Sequence, residues 1–588
     1  MQTIHRAKKW FFPEPVSYSG QEEGIRLPPG IVALLAERGL QDTARISSFF
    51  SSTLSDLPDP FLMKGMQEAV DILLDAMRHK KPIVVYGDYD VDGLTGAAVI
   101  ALFLKEVGAD SFVCQPDRQR HGYGLHSDLI MELAEKYEAE EKNAVLLTVD
   151  CGISNKLEVA IARSAGFKVI ITDHHQLPGS LPVADAILNP LQKVCSFPFK
   201  GLAGVGVAFY LVAGLRTQMR KKHLFSNGNE PNLKKSLDLV AIGSICDMVP
   251  LTGVNRILVK AGMEVLQGTQ RPGLIALAKE AGREDRESIS PEDVAFRLGP
   301  RINAAGRLQD AGQAYRLLVC ETLNEAEILS RDLSLLNEKR KRLTESIYND
   351  CCRMVEELSG EKRVSLVLKG ENWIPGVLGI VASKIVQEYY RPTILLASIT
   401  DEGGERILKG SGRSVEGFDL FEALGKCSDY IQKFGGHAQA AGMTVREDDF
   451  ARFSETFEEV SRQAIGEKGP VETIRVHDIS QMLTSGEREF LELYKKMGPF
   501  GAGNPEPIFA AHGCRLIDGQ VIGEQHLRFK LALDDKRIYP GIAFGRAELL
   551  PLIRDQKIDL AFYLRLNQFR GEERWQVYLI DIGSNTTD

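Results

Sequence analysis

The chain reads as an α/β protein built in several pieces, and three patterns say so. Short β-branched runs alternate with helix-like stretches through the first half, the mark of a mostly parallel sheet. Residues 322–358 carry Leu329, Leu333, Leu336, Leu343, Ile347 and Val355 among many charges with no Gly or Pro, which predicts one long amphipathic helix. From about residue 470 short strand-like runs are separated by Gly and Asp turns, which predicts a small β-barrel.

In chain order, residues 1–55 hold a helix-like piece at Gly30–Gly39 and read as an N-terminal extension packed on the first domain. Residues 56–330 form the motif-bearing α/β domain, in which the strand Lys81–Tyr86 leads to a helix over Leu94–Lys105. The strands ending at Asp150 and Asp173 follow, with a helix over Lys156–Ala165 between them, and Leu239–Asp247 reads as one more strand. The polar stretch Ser226–Asn232 reads as a surface loop. Residues 331–360 are the linking helix, and 361–465 a second α/β domain with a strand near Val364, a helix over Gly376–Tyr390 and a strand over Pro392–Ser398. Residues 466–588 carry five short strands, Arg515–Ile517, His526–Leu533, Arg537–Ala543, Asp559–Leu566 and Trp575–Ile580.

The bulk properties bound the function. At 588 residues the chain is too long for one core, and 44% hydrophobic with 26% charged residues is ordinary for a soluble protein. No segment approaches the ~20 apolar residues of a membrane span, and the basic N-terminal residues are not followed by an apolar signal core. Nine cysteines without a spacing pattern point to reduced thiols in a cytoplasm. The net charge of −9 does not exclude a nucleic acid, since binding depends on local positive surface. Arg216–His223 and Lys339–Arg342 are basic clusters that fit either DNA contact or a solvated helix face.

The chemistry lies in the aspartates. Asp88, Asp90 and Asp92 alternate in Val84–Gly93, and in an extended segment they would share one face. Three crowded carboxylates repel, and a cation makes them tolerable. A calcium EF-hand loop starting at Asp88 would need Glu at the twelfth position, where Val99 stands, and a preceding helix where a strand is predicted. An acidic loop facing solvent is the plain alternative, but Asp150, Asp173-His174-His175 and Asp247 end apolar runs as well. In parallel sheets ligands bind beyond the carboxyl ends of the strands, so these residues converge. Carboxylates with one or two imidazoles and no thiolate suit Mn²⁺ or Mg²⁺, and so many carboxylates could hold two ions. With no Cys-x-x-Cys pair, zinc fits less well.

Asp88-Tyr-Asp90-Val-Asp92-Gly, Val149-Asp150-Cys-Gly, Asp173-His174-His175 and Ile245-Cys-Asp247 resemble the successive motifs of the DHH phosphoesterase superfamily. Phe296–Arg307, Gly410-Ser411-Gly-Arg413-Ser and Phe434-Gly435-Gly436-His437-Ala-Gln-Ala-Ala-Gly442 sharpen the likeness to its RecJ family of single-strand-specific DNA exonucleases. The resemblance covers residues 55–588 and implies a DHH catalytic domain, a linking helix, a DHH-associated domain and an OB-like single-strand-binding barrel. It implies that Asp90, Asp92, Asp150, His174 and Asp247 are metal ligands with Asp88 nearby, and that His175 and His437 stand beside the scissile phosphate. It further implies digestion from the 5′ end to 5′-mononucleotides in DNA repair and recombination. On this reading Arg307, Ser411 and Arg413 hold the terminal phosphate, and Arg118 matches a further family contact. The glycines of Gly410–Arg413 and Gly435-Gly436 would let backbone amides approach phosphate. Phe529, Tyr539, Phe544, Phe562, Tyr563, Phe569 and Trp575 are available in the barrel to stack on bases or to form its core.

The expected chemistry is metal-assisted phosphodiester hydrolysis by an activated water; no Ser-His-Asp or Cys-His arrangement supplies a covalent nucleophile. The expected partners are single-stranded DNA, a single-strand-binding protein and a helicase, with the chain itself a monomer and no membrane involved. Three other readings are a phosphoesterase of small nucleotides, a scaffold that has lost its metal, and a nucleic-acid-binding module with structural acids. The presence of every ligand disfavours the last two, and the C-terminal barrel and N-terminal extension disfavour the first.

Overall fold

A computed structural model describes residues 8–14, 27–118, 120–225, 229–283, 289–358, 362–400, 403–484, 486–533, 537–553, 557–569 and 572–583. The chain divides into two compact units. One takes the described residues up to Gly306, Asp310–Leu333 and those from Ile474 onward; the other takes Arg307–Gln309 and Ser334–Thr473.

In the first unit, strand β1 (Lys9–Phe11) is followed by β2 (Ile83–Gly87), β3 (Ser111–Cys114), β4 (Val145–Val149), β5 (Lys168–Thr172) and β6 (Ala186–Leu188). The last five form one sheet in the order β3-β2-β4-β5-β6, every pairing parallel. All residues of β2 and β4 are buried, as a sheet covered on both faces requires. The helix Val91–Glu106 packs on the helices Gly204–Lys221 and Leu237–Cys246. A Cβ on Gly243 would lie 2.4 Å from Thr95 Oγ1, so this close helix crossing requires glycine.

Leu237–Cys246 corrects the expected strand. The run is apolar and buried on every side, and such a run carries no period that separates strand from helix. The N-terminal extension is a second correction. The helices Pro29–Ala36 and Thr43–Ser51 place Ile31, Leu34, Leu35 and Ile46 in a core with Phe490, Tyr494, Phe509 and Leu516, which belong to the C-terminal region. Contact with the catalytic part is narrower: the Arg256 guanidinium lies over the Phe49 ring at 3.9 Å. Of the loop expected at Ser226–Asn232, residues 226–228 lie outside the described residues, and 229–232 carry no regular structure. There Glu230 pairs with Arg216 and Arg220 of the first basic cluster.

The helix Leu323–Glu357 spans 35 residues and connects the two units along the chain. In the second unit, β7 (Leu366–Gly370), β8 (Thr393–Thr400), β9 (Arg406–Arg413), β10 (Ile431–His437) and β11 (Ala440–Arg446) form a sheet in the order β10-β11-β9-β8-β7. Only β7–β8 is parallel there. The glycine-rich pieces are strand ends in place of turns: Gly442 of β11 pairs with Ser411 of β9 and with Gly435 of β10. Gly436 has φ of +146°, and a Cβ there would meet Ala440 O at 2.3 Å.

After β12 (Thr473–Asp478) come β13 (Ile508–Ile522), β14 (His526–Ala532), β15 (Ile538–Ala543), β16 (Lys557–Phe569) and β17 (Glu572–Gly583). The order β13-β14-β15-β17-β16 closes through β13–β16 pairing, which makes the five-stranded barrel of an OB fold. Parallel β12 lies on β13, and β1 extends the sheet beyond it. Phe529, Tyr539 and Phe562 are buried in the core, while Phe544 is 60% exposed. Tyr563 and Trp575 are half-buried, and the Phe569 side chain lies outside the described residues.

Candidate metal centre

The chain turns sharply after β2. Asp90 caps the helix Val91–Glu106, its carboxylate accepting from the backbone N–H of Asp92 at 2.9 Å and Gly93 at 3.2 Å. Asp88, Asp90 and Asp92 are therefore not on one extended face, because the strand ends at Gly87 and the helix begins at Val91. They converge by this reversal instead. Glycine at 93 is required, since a Cβ would lie 2.5 Å from Asp88 O. Asp92 is buried, and its two oxygens accept from Gly204 N at 2.6 Å and Val205 N at 2.8 Å, the first turn of the helix Gly204–Lys221. Asn303 Oδ1, from the helix Gly299–Leu308, accepts from Val91 N at 3.2 Å.

Asp150 follows β4 and adopts a left-handed backbone with φ of +62°. After β5, His174 directs Nε2 to within 3.1 Å of Asp150 Oδ1, 3.5 Å of Asp247 Oδ2 and 3.7 Å of Asp92 Oδ2. Asp247 enters as the C-terminal cap of the helix Leu237–Cys246. Three sets of side chains each bring ligand atoms within 4.8 Å of one another: Asp150–His174–His175, Asp92–His174–Asp247 and Asp88–Asp90–Asp150. Asp150 and His174 each belong to two of them. Arg118 lies over the Tyr89 ring at 5.0 Å, beside this cluster.

Burial and mutual repulsion dominate the electrostatics. Burial, then the charge of Asp90, pushes Asp88 well above the usual carboxylate range and Asp92 up to about 7. Asp150 rises well above it by burial and then the charge of Asp92, and Asp247 rises to about 9 for the same two reasons. Burial lowers His174 to about 4. Burial also opposes charge on His175, but the hydrogen bond and charge of Asp173 outweigh it and raise that imidazole.

Asp88 Oδ1, Asp150 Oδ1, Asp247 Oδ2 and His174 Nε2 are buried without a hydrogen bond. Leaving one such atom unmet costs roughly 1–3 kcal/mol, and more for a charged group. Four such atoms in overlapping ligand sets are explained by bound cations that take up their free electron pairs. The donor set is oxygen with imidazole and without sulfur, which fits Mn²⁺ or Mg²⁺.

The second unit gathers the other predicted residues by itself. Arg307 Nη1 donates to Gly376 O at 3.1 Å, and Arg413 Nη1 donates to Ser411 Oγ at 3.1 Å. A Cβ on Gly379 would meet Arg413 Nη2 at 2.7 Å and Ser411 Oγ at 3.0 Å. Arg307, Ser411 and Arg413 thus meet at the first turn of the helix Pro375–Tyr389, whose backbone N–H groups favour an anion. Gly435, Gly436 and His437 are exposed at the end of β10.

Sequence reasoning missed how the site is held. Asp173 is buried and binds backbone and His175 instead of facing the cluster. Its signal was present, since it heads the Asp-His-His run. The N–H groups of Gly204 and Val205 offered no local pattern, and Asn303, though within Phe296–Arg307, and Tyr123 were given no role.

Residues 82–244 match the DHH family N-terminal domain, 362–463 the DHHA1 domain and 477–581 the RecJ OB domain. With the buried carboxylate–imidazole cluster at the sheet edge, these define a metal-dependent phosphoesterase of the DHH type. The chain is 37% identical to the single-stranded-DNA-specific exonuclease RecJ of Escherichia coli, over 95% of its own length and 96% of the relative's. To the Bacillus subtilis RecJ it is 34% identical, over 97% and 70%. The crystal structure of Thermus thermophilus RecJ in complex with Mn²⁺ superposes with a TM-score of 0.77 at 30% identity, over 98% of this chain and 80% of that one. Its Mg²⁺ complex gives 0.71 at 28% identity, over 98% and 79%. The chain belongs to the RecJ family of single-stranded-DNA-specific exonucleases.

Proposed function

We propose that this enzyme digests single-stranded DNA from the 5′ end to 5′-mononucleotides, using two Mn²⁺ or Mg²⁺ ions held by Asp88, Asp90, Asp92, Asp150, His174 and Asp247. The observation that carries the proposal is the set of four buried ligand atoms without hydrogen bonds at the carboxyl edge of a parallel sheet. When bound, the ions supply Lewis acidity toward phosphate and a water nucleophile at neutral pH. The protein's part is to position them. Asp150 and His174 each belong to two ligand sets and would hold metal there. Helix-terminal N–H groups fix the Asp92 oxygens, so this ligand need not reorganise during reaction.

His175, held at Nδ1 by Asp173, offsets charge on the scissile phosphate, and His437 shares that role. Arg413, Arg307 and Ser411 grip the 5′-terminal phosphate at a helix N-terminus, with the strand ends at Gly435 and Gly436 nearby in the same sheet. Arg118 contributes a further cation. The polarity rests on the family resemblance; the arginine cluster supports it because a terminal phosphate carries more charge than a diester. The barrel grips the following nucleotides, with Phe544 as the exposed stacking ring. We place residues 56–330, 361–465 and 466–588 as catalytic, DHH-associated and single-strand-binding domains, after an N-terminal extension over 1–55 and with 331–360 as the link. A monomer in the cytoplasm, working with a single-strand-binding protein and a helicase in repair and recombination, completes the reading. Nine cysteines without a disulfide fit a reducing compartment.

The test is digestion of long strands labelled at either end, single-stranded and duplex, under matched Mn²⁺ with Asp90→Ala as control. Mononucleotides should leave the 5′ end of single strands alone, and Arg413→Ala should lose most of the preference for a 5′-phosphate over a 5′-hydroxyl. Release from the 3′ end, or an unchanged phosphate preference, overturns the assignment.

A further inference from the structure

We propose that Tyr123 is a positioning residue of the metal centre: its hydroxyl pins the backbone of Asp150 and the ring of His175 together. The Oη–H donates to the carbonyl of Asp150 at 3.2 Å. The same oxygen lies 3.0 Å from His175 Nδ1 and accepts from it, sharing the Nδ1 proton with Asp173 Oδ1 at 2.8 Å. The inference rests on the metal-centre reading and adds a residue to it.

The loop is built to deliver this side chain. Gly122 and Gly124 flank Tyr123 with φ of +86° and +97°, conformations that a side chain rarely tolerates. A Cβ on Gly124 would also meet Asn155 Oδ1 at 2.8 Å. The buried Tyr86 hydroxyl donates to Gly124 O at 3.1 Å and anchors the loop to β2. The Tyr123 residue as a whole is 47% exposed, yet its hydroxyl reaches two partners of the cluster. A tyrosine needed only to cover a surface would not require this reach.

Its two contacts fall where constraint is needed. Asp150 holds φ of +62°, a region that costs an L-residue roughly 1–2 kcal/mol. A hydrogen bond to its carbonyl resists relaxation of that peptide, which would swing the carboxylate shared by two ligand sets. At His175, a proton kept on Nδ1 fixes the tautomer and with it the orientation of the ring.

Tyr123→Phe removes one oxygen and keeps the ring. In the full chain, Mn²⁺ titrated by calorimetry should bind at least about tenfold more weakly, as loss of an outer partner of a ligand does. The kcat on a 5′-phosphorylated strand at saturating Mn²⁺ should fall while KM stays within about twofold, and the melting temperature without metal should hold. Tyr123→Leu, which removes ring and hydroxyl, should match Tyr123→Phe in Mn²⁺ affinity. Unchanged affinity in Tyr123→Phe, a rise in KM alone, or a defect confined to Tyr123→Leu overturns the proposal. Failure of the unmutated protein to bind Mn²⁺ would instead overturn the metal reading on which it stands.

Discussion

Asp173 Oδ1 accepts from Nδ1 of His175 at 2.8 Å, and the same oxygen accepts from the backbone N–H of His174 at 2.7 Å and of His175 at 3.0 Å. Its second oxygen takes Ile153 N at 2.9 Å. One buried carboxylate thereby orients both histidines, and it stays charged because the His175 hydrogen bond and charge outweigh the cost of burial. Asp92 is likewise held through both oxygens, by Gly204 N and Val205 N, whereas Asp88, Asp150 and Asp247 each keep a buried oxygen without a hydrogen bond.

Asp173→Asn should test that division of labour. The amide has one acceptor where four N–H groups need two, so stability should fall by roughly 1–3 kcal/mol in urea unfolding. His175, raised above its ordinary value by Asp173, should titrate at lower pH in the metal-free variant when followed by NMR. A group with a raised folded value stabilises the fold below its unfolded value and loses that contribution as pH climbs through the folded one. In the variant that contribution should therefore be smaller and its loss complete at lower pH.

Asp150→Asn is expected to act in the opposite sense on stability. Asparagine tolerates the left-handed backbone at this position, and the variant removes a charge that four neighbouring carboxylates repel. Without metal the melting temperature should hold or rise, while Mn²⁺ binding and cleavage are lost. Full nuclease activity in this variant would exclude Asp150 as a ligand.

Asp90→Ala should abolish cleavage too, but with a different stability balance. It removes the N-cap that accepts from Asp92 and Gly93, worth about 1 kcal/mol, as well as a repelling charge. Thermal unfolding of the two variants side by side should leave Asp90→Ala the less stable.

Metal should stabilise the unmutated protein by linkage. At a free Mn²⁺ concentration 100 times its Kd, about 2.7 kcal/mol is added, and a chelator should reverse the rise in melting temperature. A melting temperature indifferent to Mn²⁺ would contradict the cluster's role.

The barrel is best probed by single residues, because the helices Pro29–Ala36 and Thr43–Ser51 pack on the C-terminal region and its removal would expose their apolar faces. Phe544→Ala should weaken binding to a long single strand by roughly 1–3 kcal/mol with little change in melting temperature. Phe529→Ala, at a fully buried ring, should instead cost about 3–5 kcal/mol of stability. Fluorescence anisotropy and calorimetry separate the two effects.

The sequence by itself determined the alternation that builds the parallel sheet, the long helix and the five barrel strands, because local period reports which face of an element is buried. It also singled out Asp88, Asp90, Asp92, Asp150, His174 and Asp247 at the ends of apolar runs, and these are side chains that the fold gathers into overlapping clusters. Tertiary structure decided the rest. Leu237–Cys246 is a helix because a run covered on all sides has no period to read. The N-terminal helices cover the C-terminal core because an apolar face does not name its distant partner. Phe529 and Phe544, alike in sequence terms, divide into core and surface only when the barrel closes. The same holds at the candidate metal centre: the contacts of Gly204 and Val205 with Asp92, of Asn303 with the backbone at Val91 and of Tyr123 with His175 are formed only by chain closure.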